Sequence, residues 1–216
     1  NDGVLSVEQL SESENETNIN NEISFLKNSF EGESINIISR SVYGSLVPAI
    51  NDLADKEGAH YVVIGNRKTF PIDAGMLRAK TYDMIGKINC PVLAVPEARE
   101  FHPNEGGLVF ATDLKAIKKP NHLEPLIQLA KSHNVPVMNI HISGHDHVES
   151  EKEEAAGMQL NRIFGQVEHQ MIKLENEDVL EGIKDFVTSH GPSLLVMLER
   201  KNNFFQRLTS QSLTKE

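Results

Sequence analysis

The chain has a single cysteine, Cys90, no apolar run long enough to cross a bilayer, and few basic residues for its acidic ones. One thiol excludes an internal disulfide and suits a reducing cytosol. A membrane helix needs roughly 18 apolar residues in a row, and no stretch approaches that. No signal-peptide pattern opens the chain either, so the cytoplasm is the expected compartment. The first residue is Asn1 and not Met, so the native start is expected to lie upstream. Lys and Arg number 21 against 31 Asp and Glu, a net charge of −10. Because a phosphate backbone is held mainly through Lys and Arg that displace its counterions, nucleic acid is a disfavoured partner. What remains, 39% hydrophobic and 24% charged over 216 residues, suffices for one large or two small domains with real cores.

Past a polar opening (Asn1 to Glu22), short β-branched runs alternate with amphipathic segments. Ile35–Ser41 predicts a strand. Val47, Ile50, Leu53 and Ala54 then fall at helical spacing, with Pro48 in the first turn and Gly58 as the stop. His60–Gly65 predicts a strand, Ala79–Ile88 a helix and Cys90–Pro96 another strand. From Gly107 the alternation resumes. Gly107–Asp113, Val135–Ser143, Val167–Leu174 and Ser193–Leu198 predict strands, separated by helices over Asn121–Asn134, Ala155–Gly165 and Glu177–Gly191. Gly144–Glu154 is strongly charged and predicts a solvated loop or the start of a helix. Strands and helices in strict alternation imply an α/β fold with parallel sheets and right-handed crossovers.

Part of the chain repeats. A shift of 133 positions aligns Val47–Thr81 with Leu180–Thr214 without a gap and gives seven identities, among them Ile50 with Ile183, Gly58 with Gly191, and Arg67-Lys68 with Arg200-Lys201. The identities carry weight because the predicted helix, strand and loop fall into register. Two α/β domains in tandem are expected, over residues 1–99 and 105–216.

The same residues resemble a family. Cys90-Pro91-Val92-Leu93-Ala94-Val95 after a helix, Val109–Ala116 running into a Thr-Asp loop, and Ile140-His141-Ile142 ending a strand resemble the universal stress protein (UspA-like) family in its two-domain form. The resemblance implies tandem doubly wound parallel sheets of the adenine nucleotide alpha hydrolase-like type, with strand order 3-2-1-4-5. Against that template residues 1–99 supply strands three to five and residues 105–216 supply strands one to four. The expectation is a fragment of a longer protein, or a chain whose missing strands come from a partner, since unpaired edges invite association.

The resemblance also implies where a nucleotide would sit. ATP-binding members carry a Gly-x-x-Gly loop after strand four, then Gly-Ser or Gly-Thr nine residues on. Backbone N–H groups must approach phosphates closely there, and a side chain at either glycine would intrude. Here Gly65 is kept but Lys68 takes the second glycine's place, and Arg78-Ala79 replaces Gly-Ser. In the second copy Leu198 and Lys201 replace both glycines, and Gln211-Ser212 retains only the hydroxyl of Ser212. Thr112 and Asp113 match the loop whose aspartate holds adenosine, and Ile142 matches an apolar residue lining that pocket. Asp113 also has a plainer reading, as a strand-end or helix-capping residue. Arg67, Lys68, Arg200 and Lys201 would attract an anion, or simply be solvated charges.

Other features carry less. His141, His145 and His147 invite a zinc reading, but His141 fits the family's strand pattern and the others lie in a charged loop with no cysteine nearby, so no metal is expected. Cys90 precedes a proline at a strand start and reads as buried, not nucleophilic. Asn15-Glu16-Thr17 spells a glycosylation sequon without secretory context. No nucleophile elbow, Walker loop or triad pattern is present, so no catalytic residue is expected, with weak ATPase activity left open. The resemblance therefore implies a stress-response protein that acts by homodimerisation, with Cys90–Pro96 as the candidate contact, or by binding another protein. ATP binding would be weak or absent. The alternative is an adenine-nucleotide switch using the second-domain cleft.

Overall fold

In the computed structural model of the chain, residues 12–30, 35–40, 45–66, 86–96, 101–102 and 104–198 are described. The chain divides into two units, Asn1–Ala59 and His60–Glu216. The first holds α1 (Glu12–Ser29), which begins in the polar opening and for which no element is expected above, and α2 (Leu46–Glu57). Helix α2 follows its apolar stripe, with Ala54 buried, and ends where Gly58 turns left-handed at φ 63°. The N–H groups of Gly58 and Ala59 both return to the Ala54 carbonyl, so a carbonyl orphaned by the helix end is satisfied. Arg40 pairs with Glu57 at 3.7 Å, an exposed contact.

The strand expected at Ile35–Ser41 is not formed: residues 35–40 carry no strand, and Ser41 lies outside the described residues. A strand exists only as part of a ladder, and no described strand of this chain offers these residues a partner.

Among the described residues the second unit contains two parallel sheets. In the smaller, β1 (Val62–Asn66) pairs with β2 (Val92–Pro96), from Val62 opposite Val92 to Asn66 opposite Pro96. The helix expected at Ala79–Ile88 lies, up to residue 85, outside the described residues. The larger sheet has four strands, β3 (Leu108–Ala111), β4 (Val137–Ser143), β5 (His169–Glu175) and β6 (Leu194–Met197), in the order β5-β4-β3-β6. Three helices connect them: α3 (Glu124–His133, preceded by a 3₁₀ turn at Pro120–Leu123), α4 (Glu151–Ile163) and α5 (Val179–His190).

Chirality decides where these helices go. Right-handed crossovers from β3 to β4 and from β4 to β5 move across the sheet in one direction and put α3 and α4 on one face. The return from β5 to β6 runs the other way and puts α5 on the opposite face. The core divides accordingly. Leu108, Phe110 and Val137 of the sheet pack with Leu126, Ile127 and Leu160 of α3 and α4, while Val109, Ile140 and Ile142 pack with Ile183 and Phe186 of α5. Strand β3 is buried on both faces, so it reads as a continuous apolar run. Edge strand β5 alternates and carries Lys173, which suits an edge exposed to other chains.

The starts of β3 and β6 are tied together. Gly106, at φ +74°, lies so close to the turn after α5 that a Cβ there would sit 2.1 Å from the Gly191 carbonyl oxygen. Ser193 N–H donates to the Gly107 carbonyl at 3.0 Å, and the Ser193 hydroxyl lies against the His102 and Glu105 carbonyls. Helix α5 makes a similar approach to β4: a Cβ on Gly182 would meet Ile142 Cγ2 at 2.9 Å and Asn176 Cβ at 3.1 Å.

Two stability measurements check this packing. Gly106→Ala combines a left-handed backbone with a main-chain clash and is expected to cost roughly 3 kcal/mol, lowering Tm by about 10 °C in thermal denaturation. Gly182→Ala gains about 1 kcal/mol of helix propensity but overpacks the core by about 1–3 kcal/mol, so it should be net destabilising. Ile142→Ala removes both γ carbons that the new Cβ would meet, so the double variant should lose less stability than the sum of the two single losses. If the two losses simply add, Ile142 does not face α5 as described.

Candidate functional site

In a parallel sheet whose strand order reverses, the chain leaves neighbouring strands in opposite directions and opens a crevice at their C-terminal ends. Here the reversal lies between β3 and β6, whose last pair is Ala111 with Met197. The next residues in line are Thr112 and Leu198.

Thr112 and Asp113 form a turn at the end of β3. Thr112 N–H extends the ladder to the Ile140 carbonyl at 2.9 Å. The Thr112 hydroxyl oxygen accepts from Leu114 N–H at 3.1 Å, and an Asp113 carboxylate oxygen accepts from Lys115 N–H at 3.3 Å. The other Asp113 oxygen pairs with Lys115 Nζ at 3.2 Å. Both side chains thus fold the turn locally, which places Leu114 in the left-handed region at φ 47° with its side chain buried in the core. Beyond it, Gln159 of α4 clamps Ile117, accepting from its N–H at 2.8 Å and donating to its carbonyl at 3.0 Å.

The remaining residues picked out by the sequence are dispersed. Leu198 packs against the cluster beneath α3 and α4. Ile142 is buried on the opposite face of the sheet, against α5. Gly65 lies within β1, paired with Val95. Lys68, Lys201 and Ser212 lie outside the described residues, as do Arg67, Arg78, Ala79, Arg200 and Gln211.

A polar cluster that the sequence did not single out as a unit lies beside the Thr112 turn. His141, near the end of β4, shares the α4 side of the sheet with Val137 and Asn139, since side chains alternate along a strand. Its Nδ1 donates to the Thr112 carbonyl at 3.0 Å, and its Nε2, buried, has no hydrogen-bond partner among the described residues. The Asn139 amide is likewise buried without one. Helix α4 delivers Glu153 to the same place. Ser150 caps α4 through Glu153 N–H, and the Glu153 carboxylate returns to the Ser150 N–H at 2.7 Å and hydroxyl at 2.8 Å, a reciprocal capping box. The other Glu153 oxygen lies 3.1 Å from His147 Nε2.

The bond from the Ser150 N–H, then its hydroxyl, then the nearby His147 and His141 hold the Glu153 carboxyl below the ordinary glutamate value of 4.5, against an opposing effect of burial. Glu153 is therefore an anion at neutral pH. The one signal that could have located it is the spelling Ser-x-x-Glu at Ser150–Glu153, which puts that glutamate in the first helical turn. His145 belongs elsewhere, with its Nδ1 3.2 Å from a Glu175 oxygen and its N–H bonded to Glu177.

Between α4 and β5 lies an open cleft of about 270 Å³, lined by Leu114, Met158, Met171 and Lys173 among others. Among the described residues no helix is long and apolar enough to cross a membrane.

No family model matches the sequence, and no curated protein does. Solved structures do match. A universal stress protein from Archaeoglobus fulgidus DSM 4304 superposes with a TM-score of 0.61 at 14% identity, over 98% of this chain and 80% of that one. A functionally unknown protein from Pseudomonas aeruginosa PAO1 gives 0.60 at 16% identity, over 94% and 73%. A candidate universal stress protein from Pseudomonas aeruginosa UCBPP-PA14 gives 0.59 at 16%, over 94% and 74%. At such identities the likeness speaks for architecture alone: the chain has the α/β, parallel-sheet fold of universal stress proteins.

Proposed function

We propose that this chain is a cytoplasmic stress-response protein of the universal stress type, which acts by pairing with a second copy or another protein, with weak or no ATP binding and no catalysis. The observation that carries this reading is Leu198. A phosphate loop at the switch point needs a residue with no side chain where the backbone meets the ligand. At the end of β6 that place holds a leucine whose side chain packs into the core. The turn at Thr112 and Asp113 adds weight, because Asp113 is already engaged by Lys115.

Pairing is supported by the small sheet. Two strands alone are marginal in water. Val63 and Val95 nevertheless remain 48% and 37% exposed on the same face of β1 and β2. Val95 lies in Cys90–Pro96, the strand that the resemblance to universal stress proteins makes the candidate dimer contact, and Val63 lies on its neighbour.

A second reading, an adenine-nucleotide switch, is favoured by one observation: Thr112 and Asp113 do lie at the switch point, where nucleotides bind in open α/β sheets.

Isothermal titration with ATP separates the two. The expected outcome is no saturable heat up to millimolar ATP and no co-purified nucleotide by mass spectrometry. Tight binding weakened tenfold or more by Asp113→Ala would replace the first reading with the second. For pairing, light scattering on the purified chain should give a dimer, shifted toward monomer by Val63→Asp with Val95→Asp. A wild-type monomer at about 50 μM would count against dimerisation.

A further inference from the structure

We propose that His141, His147 and Glu153 form a binding site for a zinc-type divalent cation, with water completing the coordination. One ligand atom from each of the three residues lies within 4.8 Å of the others. Proximity alone would mean little, but His141 adds an independent constraint. A carbonyl only accepts, so the Nδ1 facing the Thr112 carbonyl must carry the proton, and the Nε2 of the neutral ring is then a bare lone pair. That nitrogen belongs to a residue only 7% exposed and has no partner among the described residues. What faces it is the Glu153 carboxylate, which only accepts, and the His147 imidazole, whose Nε2 lies at hydrogen-bond distance from that carboxylate and carries the proton it donates there. A zinc-type cation takes the place of that proton, and three lone pairs then converge on it.

The surroundings are those of a prepared site. The Thr112 carbonyl fixes the ring and tautomer of His141, the usual outer-shell arrangement for a metal-binding histidine. Ser150 holds one Glu153 oxygen and leaves the other directed at His147. Two nitrogens and one oxygen suit zinc, whereas calcium and magnesium prefer all-oxygen sets. Ligand atoms around a tetrahedral zinc stand about 3.4 Å apart at bond lengths of roughly 2.0–2.2 Å. His147 Nε2 and its Glu153 oxygen, 3.1 Å apart, already stand near that spacing, and His147 is the exposed member of the three, preceding α4.

The test uses the full chain, stripped with a chelator and titrated with Zn²⁺ against a competing indicator, with metal content read by mass spectrometry. One Zn²⁺ per chain is expected. His147→Gln and Glu153→Gln should each weaken it at least tenfold, and His145→Gln should leave it unchanged. Glutamine at position 153 preserves the capping box, so loss of binding there is not loss of the helix start. With Co²⁺ in place of zinc, the wild type should show the visible absorption of a four-coordinate site, and both ligand variants should lack it. The proposal is overturned if the wild type takes up no stoichiometric metal, which would leave a proton as the cation between these groups. It is equally overturned if His147→Gln and Glu153→Gln bind as the wild type does, or if His145→Gln weakens binding as much as they do.

Discussion

Strand β3 is the constraint on which the rest depends. Among the described residues it is the strand of the larger sheet paired on both sides by neighbours reached in opposite directions, β4 and β6. Its Leu108, Val109 and Phe110 are buried with at most 1% exposure, so both faces must be covered. Right-handed crossovers allow one way to do that, with α3 and α4 on one side and α5 on the other. The reversal of strand order at β3 follows, and with it the crevice beyond Ala111. The contact of Gly106 with the Gly191 carbonyl locks the opposite end of the same two strands.

What stands at that crevice is set by single residues. Thr112 uses its hydroxyl to turn the chain and its carbonyl to orient His141, so one residue links the switch point to the polar cluster under α4. Leu198 contributes its side chain to the core. The crevice thus has an apolar side chain at the end of β6, and the buried polar groups lie one strand over from β3, at β4.

Much of the fold was legible because its signals are local. Gly58 and Gly191 each end a helix in the left-handed region, as their place after an apolar stripe predicts. The β3, β4, β5 and β6 runs were visible as apolar segments between amphipathic ones. Ile35–Ser41 misled for the opposite reason: β-branched composition predicts a strand, but a ladder needs a partner, and composition does not supply one. Helix α1 went unforeseen because its first half is polar, and its apolar positions Ile19, Ile23 and Leu26 reach helical spacing only toward its C-terminal end.

The polar cluster was legible only in parts. The histidines drew attention by type, yet which of them belong together depends on pairing and helix placement. His147 and Glu153 join His141, while His145 turns to Glu175 and Glu177. Ile142 shows the same limit, since only the assignment of α5 to its face settles what it touches.

Hydrogen exchange of the full chain, followed by mass spectrometry with and without ATP, tests the central claim most directly. The account predicts that peptides covering Leu108–Asp113 and Leu194–Leu198 are among the slowest to exchange and do not change when ATP is added. Fast exchange across β3, or new protection at Thr112–Leu114 and Leu198 with ATP, would contradict it.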